Sequence, residues 1–283
     1  MPEADAKQDV VLKFEDVSLR FGDVVALDRV TFEMTAGSTR VILGAAGAGK
    51  TTLLKTAIGL IKPDSGRVFL LGNDITDLDE AHMYAIRTRV GVLFQEGGLF
   101  DSFTVAENVA YPLLNPTSKK VDLSTVDQKV KDALRFVELE KTMDKFPVEL
   151  SGGMRRRVGI ARAVVTEPPL VLYDSPTAGL DPITANTIMA LITKERDTAN
   201  TANLIVTHRY QDGQLMANFR YNPDGGNLHL SHVDPNSGGG DANSRHRTTF
   251  MVMNEGKVVF EGSQPELEAS RDSYIEKFVP KRP

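Results

Sequence analysis

The 283-residue chain contains no cysteine, which excludes disulfides, thiolate catalysis and cysteine zinc sites together. It has no apolar run of about 18 residues, so no segment is expected to span a membrane. Met1 to Asp9 is polar and acidic, without the apolar centre of a secretory signal, and a soluble cytoplasmic protein is the expectation. Positive charge is not in excess: the net charge is −5, which argues against a general nucleic-acid binder. Nor is there an internal repeat. The remaining balance, 41% hydrophobic and 25% charged, is that of an ordinary globular protein. Its length allows one large domain or two small ones.

The most informative stretch starts at Val41-Ile42-Leu43, which reads as a buried strand. Gly44-Ala45-Ala46-Gly47-Ala48-Gly49-Lys50-Thr51-Thr52 follows, and a helix is expected from Lys50 to Leu60. Strand, G-x-x-x-x-G-K-[ST], helix is the order of a phosphate-binding loop. Glycines let the backbone wrap a phosphate with its N–H groups turned inward. The helix start adds unpaired N–H groups and a positive dipole end. Lys50 supplies a point charge for β/γ-phosphates and Thr51 a hydroxyl for Mg²⁺. Average residue usage yields this pattern in about one chain in a hundred of this length, so nucleotide binding outweighs a plain glycine turn.

Around this loop the periodicity predicts strands over 10–20 and 24–34, joined by the turn Arg20–Asp23. Phe21 in that turn either stacks on a purine base or packs the loop, and position alone leaves both open. A turn at Lys62–Gly66 precedes a short strand, Arg67–Leu71, and a helix, Leu78–Thr88. The strand Arg89–Phe94 ends at Gln95, where open α/β sheets hold their ligands; a solvated loop glutamine is the plain alternative. Residues 104–148 show helical periodicity (Thr104–Leu114, Leu123–Glu138, broken at Asn115–Lys120) and no strand, which suggests a helical insert.

Ser151-Gly152-Gly153 then caps a helix running to about Val165 and forms a second candidate anion site. At least one of Arg155, Arg156 and Arg157 is expected to be plain solvated face. The apolar strand Pro169–Asp174 ends in a carboxylate placed for the Mg²⁺ shell. A turn at Thr177–Pro182 leads into a helix to about Arg196, and the strand Asn203–Thr207 delivers His208 to its carboxyl end. Arg220–Thr248, rich in Gly, Asn, Ser, Asp and Pro, reads as a mobile surface excursion. His229 and His232 lie within it at a spacing metals tolerate, but the segment identifies no third ligand, and a metal site is the minor alternative. A hairpin (Thr249–Met253, Lys257–Glu261) and a terminal helix near Pro265–Phe278 complete the chain.

Together these motifs resemble the ATP-binding cassette (ABC) ATPases, the nucleotide-binding subunits of ABC transporters, over about residues 10–262. Gly44–Thr51 is similar to the Walker A loop, Gln95 to the Q-loop glutamine, and Leu150-Ser151-Gly152-Gly153-Met154 to the LSGG signature. Leu170–Asp174 resembles Walker B, Ala178-Gly179-Leu180-Asp181 the D-loop, and His208 the switch histidine. Phe21 falls at the A-loop position, where the family stacks an aromatic on adenine. The resemblance implies an α/β P-loop NTPase with a RecA-like mixed sheet core, an N-terminal antiparallel β subdomain and an inserted helical subdomain at about 96–166. It implies ATP and Mg²⁺ as cofactors, the ion held by Thr51, Gln95 and Asp174. ATP would lie between one copy's loop, 44–52, and Ser151, Gly152, Gly153 and Asp181 of a head-to-tail second copy. Residues 93–113, LFQEGGLFDSFTVAENVAYPL, are similar to the Mla/Mce-type branch. That branch moves phospholipid between envelope membranes through a separate permease, in company with an Mce-type substrate-binding protein. The implied location is cytoplasmic, on the inner face of the cell membrane.

One position departs from the family pattern. Where a glutamate polarises the attacking water, this chain has Ser175, and a serine hydroxyl cannot usefully accept a proton at neutral pH. A positioned base contributes typically 10²–10⁴-fold in rate. Three readings follow: a slow ATPase using Ser175, His208 and Gln95, with Glu96 as a further carboxylate; an ATP-driven clamp or regulatory subunit that closes readily and reopens slowly; and a substitution made in the laboratory. A soluble ABC protein acting on nucleic acid or in translation is a further class, but such proteins usually carry two cassettes and this chain carries one.

Overall fold

Three strands, Thr39–Leu43, Leu170–Asp174 and Ala202–Thr207, are buried at every position, as parallel strands covered on both faces must be. In the computed structural model, which describes residues 10–114, 122–222, 224, 230–232 and 248–279, they form the centre of a six-stranded sheet. In chain order the elements begin with β1 (Val10–Phe21), β2 (Val24–Thr35), β3 (Thr39–Leu43) and α1 (Lys50–Ala57). There follow β4 (Ser65–Leu70), β5 (Asn73–Asp74), α2 (Glu80–Arg87) and β6 (Val90–Leu93). Next come α3 (Val105–Leu114), α4 (Leu123–Phe136), α5 (Gly152–Val164), β7 (Leu170–Asp174) and α6 (Pro182–Ala199). The last group is β8 (Ala202–Thr207), α7 (Tyr210–Asn218), β9 (Phe219–Tyr221), β10 (Leu230–His232), β11 (Thr248–Asn254), β12 (Lys257–Gly262) and α8 (Gln264–Ala269).

The main sheet has the order β12-β11-β3-β8-β7-β6. All its pairings are parallel except β12 against β11. A separate antiparallel sheet has the order β2-β1-β4-β5. β1 alternates, burying Leu12, Phe14, Val17 and Leu19. That face packs, together with Leu53, Leu54 and Ala57 of α1, against Leu172, Leu204 and Val206 of the main sheet. Helices α3, α4, α5 and α6 share a second core with Val171, Tyr173 and Ile205 from the same strands. The central strands therefore support two apolar layers, and the carboxyl ends of β3, β6, β7 and β8 open at one edge. In a parallel sheet that edge is where ligands sit.

The stretch 210–218 and the terminal helix differ from expectation. The stretch 210–218, for which no element was expected, is a helix with Tyr210, Gly213 and Met216 buried at a spacing of three. Within 220–248 the described residues include a pairing of β9 antiparallel with β10, and just before it fully buried Arg196 donates to Met216 O at 2.6 Å and Phe219 O at 3.0 Å. His229, like residues 115–121, lies outside the described residues. The terminal helix ends at Ala269 because Ser270 is extended, and a short 3₁₀ turn, Ile275–Lys277, resumes after it. Among the described residues no helix is long and apolar enough to cross a membrane, and no group of His, Asp and Glu forms a metal cluster.

Candidate functional site

The phosphate-loop reading has a geometric counterpart at the end of β3. Ala45, Ala46 and Gly47 form an exposed arch, while Ala48 is buried and anchors it. Gly49 takes φ +99°, and a Cβ there would sit 2.3 Å from the Ala26 carbonyl oxygen, so only glycine fits. α1 starts without a side-chain cap and with no acidic residue in its first turn. No side chain of its own competes for the N–H groups that suit an anion. Lys50 Nζ donates to Gly44 O and Ala45 O, both at 2.8 Å. Burial lowers the lysine's pKa, and the charge of Asp174 pulls it back up.

Asp174, at the end of β7, is 4% exposed. Its Oδ2 accepts from Thr51 Oγ1 at 3.1 Å and its Oδ1 from Ser175 Oγ at 3.1 Å. Lys50, Thr51, Asp174 and Ser175 are thus brought together. His208 stands exposed at the end of β8. Gln95 is exposed at the head of a 3₁₀ turn, with no hydrogen bond from its side chain to Thr51 or Asp174. Phe21 is 51% exposed at the β1–β2 hairpin. The side chain of Glu96 lies outside the described residues.

Two buried charges behind these strand ends go beyond the expected site residues. Asp212 of α7, 2% exposed, accepts on one oxygen from both Thr177 Oγ1 and Thr207 Oγ1 at 2.7 Å. It ties the segment after Ser175 to the residue before His208. Burial pushes the Asp212 carboxyl up, against those two hydroxyl bonds and the charge of Arg209. The three-residue spacing of Tyr210, Gly213 and Met216 was the available signal for α7. Arg156, 4% exposed, donates to Ser175 O at 3.0 Å and Ala178 O at 3.2 Å. Its neighbours also reach carbonyls, Arg155 to Leu150 O and Arg157 to Val137 O. None of the three is therefore the plain solvated face expected.

Ser151 caps α5, its Oγ accepting from the Met154 N–H at 3.2 Å. Ser151, Gly152 and Gly153 line a depression of about 550 Å³ with Gly179, Leu180 and Asp181. Asp181 Oδ1 accepts from the Ile183 and Thr184 N–H groups at 3.0 Å, capping α6, and the Thr184 hydroxyl together with these N–H bonds lowers its pKa. Neither Lys50, Thr51 nor Asp174 lines this depression. The chain thus carries two separate anion-suited corners. Between them, the segment after Gln95 is locked by buried Asn108, which accepts from Phe100 N–H and donates to Phe100 O, Phe103 O and Thr104 O at 2.8–3.2 Å.

The chain is similar to several known proteins. The family model described as "ABC transporter" matches residues 27–178. The probable ribonucleotide transport ATP-binding protein mkl of Mycobacterium leprae is 39% identical over 70% of this chain, and the chain spans 57% of that protein's length. The methionine import ATP-binding protein MetN of Rhizobium meliloti is 38% identical over 75% of this chain and 60% of its own length. The intermembrane phospholipid transport system ATP-binding protein MlaF of Haemophilus influenzae is 34% identical over 75% of this chain and 79% of its own length. Among solved structures, the dimeric post-hydrolysis state of the ATP-binding cassette MJ0796 bound to ADP and Pi superposes with a TM-score of 0.73 at 26% identity, covering 89% of this chain and 98% of that one. The fold is that of a P-loop NTPase. The chain belongs to the ABC transporter family.

Proposed function

We propose that this chain is the ATP-binding subunit of an ABC transporter, and that two copies close head to tail on Mg-ATP to drive a separate membrane permease. The observation that carries this is the separation of Lys50, Thr51 and Asp174 from Ser151, Gly152 and Gly153. Each corner offers a helix N-terminus to an anion, and a triphosphate held between copies bridges two positive ends that otherwise repel. Phe21 receives the adenine face. Thr51 and Asp174, already hydrogen-bonded to each other, would hold Mg²⁺ through their oxygens. The ion, when bound, neutralises charge on the phosphate oxygens. Lys50 leaves the loop carbonyls for the phosphates, and His208 and Gln95 orient water.

The transported material is proposed to be phospholipid, with a partnering Mce-type protein and a cytoplasmic location at the inner face of the membrane. Residues 93–113 and the likeness to MlaF support this, while other relatives carry names for ribonucleotide and methionine transport. The permease's cytoplasmic helix is proposed to meet the groove of about 290 Å³ lined by Tyr84, Tyr111, Pro112 and Arg162. Beside it Phe100, Phe103 and Tyr111 form an aromatic cluster, with ring centroids 4.8–6.2 Å apart. Ser175 favours a second reading, a clamp that binds and closes without hydrolysing. ATPase assays of the chain with its permease in lipid, native against Ser175→Glu, decide between them. A slow ATPase gives measurable native turnover that rises about 10²-fold or more in the variant. No native turnover with a competent variant selects the clamp. Failure of both to take up Mg-ATP overturns the proposal.

A further inference from the structure

The C-terminal segment lies outside the stretch matched by the family model, 27–178, yet it touches the phosphate loop. After α8 the chain turns at Asp272, whose Oδ1 accepts from the Tyr274 and Ile275 N–H groups at 2.8 and 3.2 Å. Ile275, 3% exposed, packs with Val41 and Leu43 of β3, the strand that feeds the loop, and with Phe250 and Val252 of β11. The Tyr274 ring meets Phe278 edge-on at 5.2 Å. Its hydroxyl donates to Met253 O at 3.0 Å and accepts from the Ala45 N–H at 3.1 Å. Met253 O is also the atom against which Gly44 is packed, since a Cβ on Gly44 would lie 2.6 Å from it. The same end of the chain holds the loop's other side: the Gly256 N–H donates to Ala48 O at 3.2 Å.

From this geometry we infer that Tyr274 is a positioning residue of the nucleotide site, its hydroxyl bracing the exposed Ala45–Gly47 arch so that the loop is already shaped for phosphate before nucleotide arrives. The inference rests on the nucleotide-binding reading above. A preorganised loop loses less freedom on binding, and that saving appears as affinity. The brace acts on the phosphate loop and not on the base, so ATP and ADP gain alike and preference for adenine over guanine is untouched. It also makes the end of the chain part of the site.

Tyr274→Phe keeps the ring and its packing and removes only the hydroxyl. In calorimetric titration of the full-length chain with Mg-ATP and with Mg-ADP, the dissociation constants of the variant are expected to rise about three- to tenfold, the effect of losing one net hydrogen bond. The ratio of ATP to GTP affinity stays at the native value, and amide exchange at Ala45 and Ala46 speeds up. Ile275→Ala, which loosens the anchor and leaves the hydroxyl, shifts affinity the same way. Native affinity in a folded Tyr274→Phe overturns the brace. Tighter binding also overturns it, by making the contact a restraint that nucleotide must break. A native chain that takes up nucleotide, with Lys50→Ala that does not, keeps the underlying reading whichever way Tyr274 falls. A native chain that takes up none removes both.

Discussion

Glu195 offers a measurable link between the core and pH. It lies on α6, 4% exposed, and its Oε2 has no hydrogen-bond partner among the described residues. Burial pushes its carboxyl from the ordinary 4.5 up to about 7, against a hydrogen bond from Thr201 and the charge of Arg196. Arg196 gives limited help, because its guanidinium is committed to Asp197 Oδ1 at 2.7 Å and to two carbonyls. Between pH 4.5 and 7 the folded chain therefore holds a proton that the unfolded chain has released. Stability from this group is full below about 4.5 and falls as pH rises through 7. At about 1.4 kcal/mol per pH unit, the loss is about 3 kcal/mol. Glu195→Gln has nearly the same shape and no charge, so it removes the slope. Its amide introduces donors that need partners, a cost of about 1–3 kcal/mol that does not vary with pH. Urea unfolding of the nucleotide-free chain and variant at pH 5, 6, 7 and 8 reads the difference directly. The variant should gain about 2–3 kcal/mol on the native chain between pH 5 and pH 8, whatever their offset at pH 5. A stability difference constant across that range refutes the reasoning, because Glu195 would then titrate like a solvated carboxylate.

Two further substitutions probe the site's scaffold. In Gly153→Ala the new Cβ meets Thr184 Cγ2 at 2.5 Å, and Thr184 is held by its N–H bond to Asp181. α5 and α6 must then part, at about 1–3 kcal/mol. Gel filtration with Mg-ATP should show nucleotide-dependent pairing lost while single subunits still bind nucleotide; pairing at native strength counts against the head-to-tail arrangement. Asp212→Ala strands the Thr177 and Thr207 hydroxyls and should cost about 2–5 kcal/mol in urea unfolding. Asp212→Asn keeps an acceptor and should cost less, and equal losses would show that packing, not the shared acceptor, holds the two segments.

What the sequence made legible was what depends on neighbours along the chain. Gly49 before Lys50 signals a tight loop because the left-handed backbone there admits only glycine. Ser151 signals a helix start because its cap bond reaches the N–H just three residues on. The strands β3, β7 and β8 are legible from their apolar centres, Val41–Leu43, Leu170–Tyr173 and Leu204–Val206. What the sequence does not make legible depends on partners distant along the chain. Arg156 reads like any member of a basic run until Ser175 and Ala178, some twenty residues later, present their carbonyls to it. Tyr274 meets a loop 229 residues away, and no local pattern marks it. The expected terminal helix overruns the observed one because apolar spacing continues through Ile275 and Phe278, while Ser270 turns the backbone out of the helix.

The same distinction bears on Ser175. Its backbone takes φ +50°, a conformation that costs a non-glycine residue roughly 1–2 kcal/mol. Nothing in a serine side chain selects it. The corner is fixed from outside: the Ser175 N–H donates to Val206 O at 2.8 Å, and buried Arg156 holds its carbonyl. A glutamate at 175 would inherit a backbone already aimed, and would give up only the hydroxyl's hydrogen bond to Asp174. Any change in turnover on Ser175→Glu therefore reports on the presence of a base and not on rebuilding of the strand end. The absence of change would mean that the limiting step lies elsewhere, in closure or reopening of the pair.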